Sequence, residues 1–397
     1  MSRVTHEASL SEQRGAGLEH AFDLATGYPA FDLPRALREC VELSSVHALR
    51  VRWPQAGAEL KRTADELDFA VRELLRVELG ESEIFVTFSA SVAIQRVLAG
   101  IASKAMASGK DGVNLVILEP GFDIFRLVAR ELSGIRLFPV AGIGHAEAFE
   151  SVLETVRQLA SATSKETVLC LESPTNPTGW CFTEEQLSEV DALCAEVGAV
   201  LLIDHCLALA GVQERRVATI FGARRRACEW IALWDTGKTI DLNGDKLGFV
   251  IASSPPVASL VRSSLSAIQL SPALRPVSVF AALLGHEALA AYLDAARAKC
   301  RANLRHLASG LPPGWSANEP VAGAFACVSS GIRGFDSVTA QSNFLAAGVD
   351  VVTAMPFFSD APPPHGSFVR LALAREEAYF AEATARIFAA CAAVAPS

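Results

Sequence analysis

Tyrosine is scarce in this chain. Only Tyr28, Tyr292 and Tyr379 occur in 397 residues. Positive charge is also in deficit, with a formal net charge of -9. That balance argues against a general nucleic-acid binder, which needs a basic face for phosphates. The short basic runs Arg215-Arg216 and Arg224-Arg225-Arg226 read as a solvated face. Nine cysteines occur without CxxC spacing, so free thiols in a reducing cytoplasm are the simplest account. No uninterrupted apolar run is long enough to span a bilayer. The N-terminal MSRVTHEASLSEQRGAGLEH has no apolar core of the signal-peptide kind. The expectation is a cytoplasmic protein with no membrane partner. Neither repeats nor metal-ligand clusters nor a Ser/His/Asp signature are evident.

What is present is apolar residue in quantity, 51% of the chain, much of it alanine. The length suits a large domain with a smaller one. Residues 59–78 have helical apolar spacing. The chain then alternates. Apolar runs such as IFVTF, NLVILEP, RLFPVAG and TVLCLESP are each followed by a helical segment, and AVLLID, EWIALWD and LGFVIAS complete the set. Continuous apolar strands indicate a sheet covered on both faces. Strand–helix alternation predicts a three-layer α/β/α large domain with a mainly parallel sheet. Ligands in such sheets bind at the carboxyl ends of the strands. From about residue 272 a long helical region leads into a smaller α/β part.

The residues at those strand ends carry the chemistry. Ser89-Ala90-Ser91 follows IFVTF and opens a helix. It suits either simple N-capping or an anion held on free backbone N–H groups. Phe122 follows NLVILEP, as core or as a flat platform for an aromatic ligand. Asn176 follows TVLCLESP, in a turn that its amide either fixes or leaves for a ligand oxygen. Asp204 ends AVLLID, and a buried carboxylate needs a partner: His205 beside it, or a protonated ligand nitrogen. Lys238 follows EWIALWD, inside WDTGKTIDLNGDKLG. An anion site, a flat surface, an amide, a carboxylate and a lysine are the groups that hold pyridoxal phosphate.

On Ser173-Pro174-Thr175-Asn176-Pro177-Thr178-Gly179, on Asp204 after its strand, and on Gly237-Lys238 followed by Gly244-Asp245-Lys246-Leu247-Gly248, the chain resembles the class I/II aminotransferase-like branch of fold-type I pyridoxal-phosphate enzymes. The resemblance runs from about Leu24 to Ala374. It implies pyridoxal 5'-phosphate as cofactor, a small-molecule α-amino acid as substrate and a homodimer with active sites at the interface. It implies a Schiff base on Lys238, which would later move the proton at the substrate Cα through a carbanion. Asp204 would pair with the pyridine N–H, and Asn176 would bind the phenolic oxygen. Phe122 and Cys206 would cover the two ring faces. Ser89, Ala90 and Ser91 would cradle the phosphate, with Lys246 as countercharge. Arg370, in Phe368-Val369-Arg370-Leu371, would grip the substrate carboxylate, and Tyr28 would reach the substrate. Residues 1–22 would be a flexible N-terminal arm and 23–58 a first segment of the small domain. Residues 59–271 would form the cofactor-binding domain, and 272–397 a linking helix and the rest of the small domain.

Departures from the family pattern accompany the match. Lys246 stands where an arginine is usual, which keeps the charge and loses the fork. Leu207 stands where a tyrosine usually reaches the phenolic oxygen. The segment Arg52-Trp53-Pro54-Gln55-Ala56-Gly57 lacks the tyrosine usually offered to the partner's phosphate, leaving Arg52 as a substitute. Asp235 and Gly237 replace the usual hydroxyl residues, and an acid at 235 would be repelled by a phosphate unless it turns away or meets a cation. Amino-group transfer to a keto acid is the first expectation. Non-transaminating chemistry on the same carbanion is the alternative: β- or γ-elimination, replacement or ring formation in secondary metabolism, with S-adenosylmethionine one such substrate. A cofactor-free protein that only retains the fold is the third.

Overall fold

The computed structural model describes residues 21–51, 55–77, 82–142, 145–222, 226–332, 335–360 and 367–394. Residues 1–20 of the expected arm lie outside these residues, as do Arg52, Arg224 and Arg225.

In chain order the elements begin with β1 (Phe22–Asp23), α1 (Arg35–Arg50), α2 (Gln55–Leu75), β2 (Glu83–Thr87), α3 (Ala90–Ala107), β3 (Val113–Glu119), α4 (Ile124–Glu131) and β4 (Ile135–Ala141). There follow α5 (His145–Ala162), β5 (Glu166–Glu172), α6 (Glu184–Val197), β6 (Val200–Asp204), β7 (Trp230–Asp235), β8 (Gly248–Ala252) and α7 (Pro255–Ser266). The remainder is α8 (Leu274–Leu284), α9 (Leu289–Gly310), β9 (Trp315–Ala317), β10 (Phe325–Ser330), α10 (Ser337–Ala346), β11 (Val349–Asp350), β12 (Val352–Thr353), β13 (Val369–Ala372) and α11 (Glu377–Val394).

Seven strands form the central sheet in the order β2-β8-β7-β6-β5-β3-β4. Only β8 runs antiparallel to its neighbours. The chain is therefore an α/β protein with a mainly parallel sheet, as the apolar runs predict. Side chains of a strand alternate between faces, and here each face meets its own helices. Leu115, Ile117, Leu202 and Leu233 pack with Ile94 and Val97 of α3 and Val261 of α7. Val116, Leu118, Leu201 and Trp234 pack on the other side with Val152 of α5 and Leu187 of α6. Burial on both faces is what makes these strands read as unbroken apolar runs. The edge strand β4 alternates between half-buried and exposed residues.

Local signals set the ends of α6. Thr183 and Gln186 form a capping box, and Gly198 closes the helix with φ 68°. The long helical region expected beyond residue 272 is broken instead: α8 and α9 meet at 85°. The break follows Gly285, where α8 ends, and it lets α8 lie against α1 and α2. No single helix among the described residues is long and apolar enough to cross a membrane. Arg226 also departs from the solvated-face expectation, because its buried guanidinium pairs with Glu184 at 2.7 Å.

Beside the main sheet lies an antiparallel sheet in the order β12-β13-β10-β9. The pair β1 and β11 joins the start of the described chain to its C-terminal third. The antiparallel sheet brings Arg370, on β13, towards the carboxyl edge of the central sheet.

Candidate active site

At that edge lies a cavity of about 280 Å³. Tyr28, Ala90, Ser91, Phe122, Asn176, Asp204, Cys206, Lys238, Lys246 and Arg370 all line it. Ser89 is not among the lining residues: its hydroxyl accepts the Val92 N–H at 3.3 Å and so caps α3. A larger hollow of about 1040 Å³ sits on α1 and α2 around the surface cluster His47, Glu59 and Arg62. It is open, and it holds none of the strand-end groups.

Lys238 ends a short 3-10 turn, Thr236–Lys238, directly after β7. Asp235 builds this turn by accepting the Gly237 N–H on Oδ1 at 2.7 Å. Half-buried, Lys238 donates to the Gly27 carbonyl at 3.3 Å and stands 4.2 Å from the Tyr28 ring centre. Burial lowers its pKa to about 8, against an attraction from Asp235 that raises it. The amine is thus shifted towards its neutral, nucleophilic form.

Asp204 ends β6 and is buried. Its Oδ1 accepts the Cys206 N–H at 2.7 Å. Burial raises its pKa above the usual carboxylate range. A cationic partner would reverse that shift. His205 is not that partner. It turns away, accepts the Ile220 N–H on Nε2 at 3.1 Å, and so carries its proton on Nδ1, which donates to Ser173 O at 2.7 Å. Burial lowers the His205 pKa to about 4, so the ring is neutral.

The turn after β5 presents Asn176. It closes through Gly179 N–H to Thr175 O at 2.9 Å and Thr175 N–H to Trp180 O at 2.8 Å. Gly179 has φ 69°, and a Cβ there would come within 2.3 Å of the Ala322 carbonyl, so glycine is required. Asn176 Oδ1 accepts from Arg370 Nη1 at 2.9 Å, and Arg370 Nη2 donates to Ala25 O at 2.6 Å. The guanidinium is buried and lies 4.2 Å from the Phe325 ring centre. Asn176 Oδ1, the Ala25 carbonyl and the Phe325 face thus hold the guanidinium at the cavity wall.

On the other side of the cavity, α3 points its N-terminus inward. Gly248 allows this, since a Cβ there would lie 2.3 Å from the Ser89 carbonyl carbon. Asp235 Oδ2 accepts the Ala90 N–H at 3.1 Å. The acid is thus bonded to the helix start, with no ion pair among the described residues. Lys246 Nζ donates to the Tyr28 hydroxyl at 2.5 Å. Leu207 lies buried with Phe325 and Ala372 and lines the cavity as an apolar wall.

Glu172, Asp123 and Phe325 also line the cavity and were not anticipated. Glu172 could have been found by the rule that found Asp204, a carboxylate directly after a buried strand. Phe325 carried no signal, because its place depends on the second sheet.

The description Aminotransferase class I and II matches residues 82–356, more than half of the chain. A probable aspartate/prephenate aminotransferase of Aquifex aeolicus is 26% identical over 208 residues, covering 51% of this chain and 48% of that protein. The aromatic-amino-acid aminotransferase 2 of Thermococcus litoralis is 26% identical over 254 residues, covering 62% and 60%. The chain thus matches about half to three fifths of the length of these relatives. Among solved structures, the aromatic aminotransferase from Pyrococcus horikoshii superposes with a TM-score of 0.75 at 21% identity, covering 96% of this chain and 98% of that one. The fold, the strand-end residues and the extent of the match lead to one assignment: the chain belongs to the aminotransferase class I and II family, a branch of the fold-type I pyridoxal-phosphate enzymes.

Proposed function

We propose that the protein is a pyridoxal-phosphate-dependent enzyme that transfers the amino group of an α-amino acid to a keto acid. The observation that carries this reading is the convergence of Lys238, Asp204, Asn176 and Arg370 on one cavity of about 280 Å³. The donor set fits the cofactor: an amine shifted towards neutrality, a buried carboxylate with no cation bonded to it among the described residues, an aromatic platform and a helix N-terminus beside Lys246. Asp235 is the discordant group, an anion where a phosphate would lie.

When bound, the cofactor supplies an electron sink for the pair released at the substrate Cα. The chain's own residues do the rest. Lys238 would provide the amine that holds the cofactor, and its free amine would be the base that moves the proton at the substrate Cα. Asp204 keeps a proton on the ring nitrogen by favouring its cationic form. Asn176 would donate to the ring oxygen, and Phe122 and Cys206 would hold the ring between them. Lys246 and the backbone N–H groups at the start of α3 would hold the phosphate, which would compete with Asp235 for the Ala90 N–H, while the Ser89 hydroxyl is used in the cap. Arg370 orients the substrate through its carboxylate, which fixes Cα before Lys238. Tyr28 closes the substrate side. A homodimer in the cytoplasm belongs to the same proposal, and light scattering tests the oligomeric state.

The deciding experiment is a visible spectrum of the cofactor-loaded protein, titrated with amino acids that include S-adenosylmethionine. Loss of the visible band with formation of aminated cofactor and a keto acid is the expected result. Turnover with loss of a leaving group and no aminated cofactor would replace transfer by elimination, replacement or ring formation. Absence of any visible band, with Lys238→Ala behaving as the parent, would sink the catalytic reading.

A further inference from the structure

Two buried acids, Asp123 and Glu172, line the cavity without a place among these roles, and Glu172 is the one that holds two loops. Glu172 is the last residue of β5, and Asp204 is its register partner on β6. Glu172 directs both carboxylate oxygens at backbone. Phe122 N–H donates to Oε1 at 2.6 Å, and Asn176 N–H donates to Oε2 at 3.0 Å. These donors sit on two different loops, one entering α4 and one leaving β5. The first loop presses closely on the acid, since a Cβ at Gly121 would stand 2.9 Å from Glu172 Oε1.

A carboxylate that accepts two loop N–H groups could be a plain structural staple. Two observations go further. The side chain borders the cavity rather than the core. It also stands next to a second buried acid, a placement that a staple does not need and that costs stability. Burial and then Asp204 raise the Glu172 pKa to about 8. The charged or titratable groups that act on it are Asp204 on β6, Arg126 on α4 and, from the same strand, Cys170.

We propose that Glu172 is a positioning residue of this site: its carboxylate ties the Phe122 and Asn176 loops to the sheet, sets the slot between them, and places a second carboxyl beside Asp204 at the cavity where the cofactor would be held. The proposal rests on the cofactor reading above. Phe122 and Asn176 then move together, because one side chain holds both.

The test compares wild type with Glu172→Gln and Glu172→Ala. Each is titrated with pyridoxal phosphate, and the dissociation constant and the pH midpoint of the visible band are measured. Alanine removes both acceptors and is expected to weaken binding at least about tenfold. Glutamine keeps the shape and one acceptor but removes the carboxylate charge, which a cationic ring beside Asp204 would restore to Glu172 by lowering its pKa below the cofactor-free value of about 8. It is expected to bind within about threefold while the midpoint falls by about half a unit or more. Melting temperatures of the cofactor-free proteins control for folding, and if the alanine variant does not fold, the glutamine midpoint decides alone. A glutamine variant with an unchanged midpoint would overturn the proposal. If wild type itself gives no visible band, the cofactor reading fails, which is a distinct outcome.

Discussion

Arg370 Nη1 donates to Asn176 Oδ1 at 2.9 Å across 194 residues of chain. The bond joins β13 of the smaller sheet to the turn after β5 of the central sheet. It therefore couples the group proposed for the substrate carboxylate to the group proposed for the cofactor ring.

Arg370→Ala is expected to cut kcat/KM by about 2–5 kcal/mol, chiefly through KM, since the substrate carboxylate loses a buried charge-assisted partner. Arg370→Lys keeps the charge but not the fork and should recover only part of that loss. Steady-state kinetics with the best donor amino acid, alongside cofactor affinity for both variants, checks this. An arginine that served only the fold would give variants with unchanged KM.

The Lys238 amine titrates near 8 because burial disfavours its charge. Cofactor attachment needs the neutral amine, so its rate should rise roughly tenfold per pH unit up to about 8 and then level off. The band-growth rate after mixing with pyridoxal phosphate reports it. The stability sign follows from linkage. Unfolded, the amine titrates near the ordinary lysine value of 10.5. Between the two values the unfolded chain binds more protons, so stability of the cofactor-free protein should rise with pH through that window. Lys238→Met should lack both responses.

Asp235 occupies the start of α3 as an internal anion, bonded to Ala90 N–H at 3.1 Å. A phosphate must share that helix end with it. Asp235→Ser keeps an acceptor for Gly237 N–H and removes the charge. It is expected to tighten pyridoxal phosphate by about tenfold and to leave unphosphorylated pyridoxal unchanged. Equilibrium titrations with the two compounds separate the charge effect from a general loosening of the site.

Gly248 lets β8 pass under the α3 N-terminus. Gly248→Ala puts a methyl against backbone that cannot rotate away, so it should cost about 1–3 kcal/mol. Thermal unfolding measures the cost. Phosphate-dependent affinity should fall with it, because the same clash displaces Ala90 and Ser91.

Much of the fold was legible because the central strands are buried on both faces. Unbroken apolar runs such as Val113–Glu119 and Trp230–Asp235 have few other meanings when helical segments follow them. Asp204 and Lys238 stood out for a related reason: Asp204 ends such a run and Lys238 follows one within three residues, places where a charge calls for a partner or a ligand. Glu172 meets that criterion too, but a polar residue entering the Ser173–Gly179 turn has an ordinary local explanation in the sequence.

What the sequence determined by itself was the alternation of strands and helices from β2 to β8, and which residue types stand at the strand ends. Period and burial are local properties, written in neighbouring residues. The rest needed the tertiary structure. Whether His205 or a ligand answers Asp204 depends on a rotamer fixed by Ser173 and Ile220. That Asp235 turns to Ala90 depends on β7 lying beside β8 at the start of α3. The 85° break between α8 and α9 follows from packing on α1 and α2. The joining of Arg370 to Asn176, and of Phe122 to Asn176 through Glu172, depends on distances between segments far apart in the chain. Such distances are set by how sheets and helices pack, and no short stretch of residues carries them.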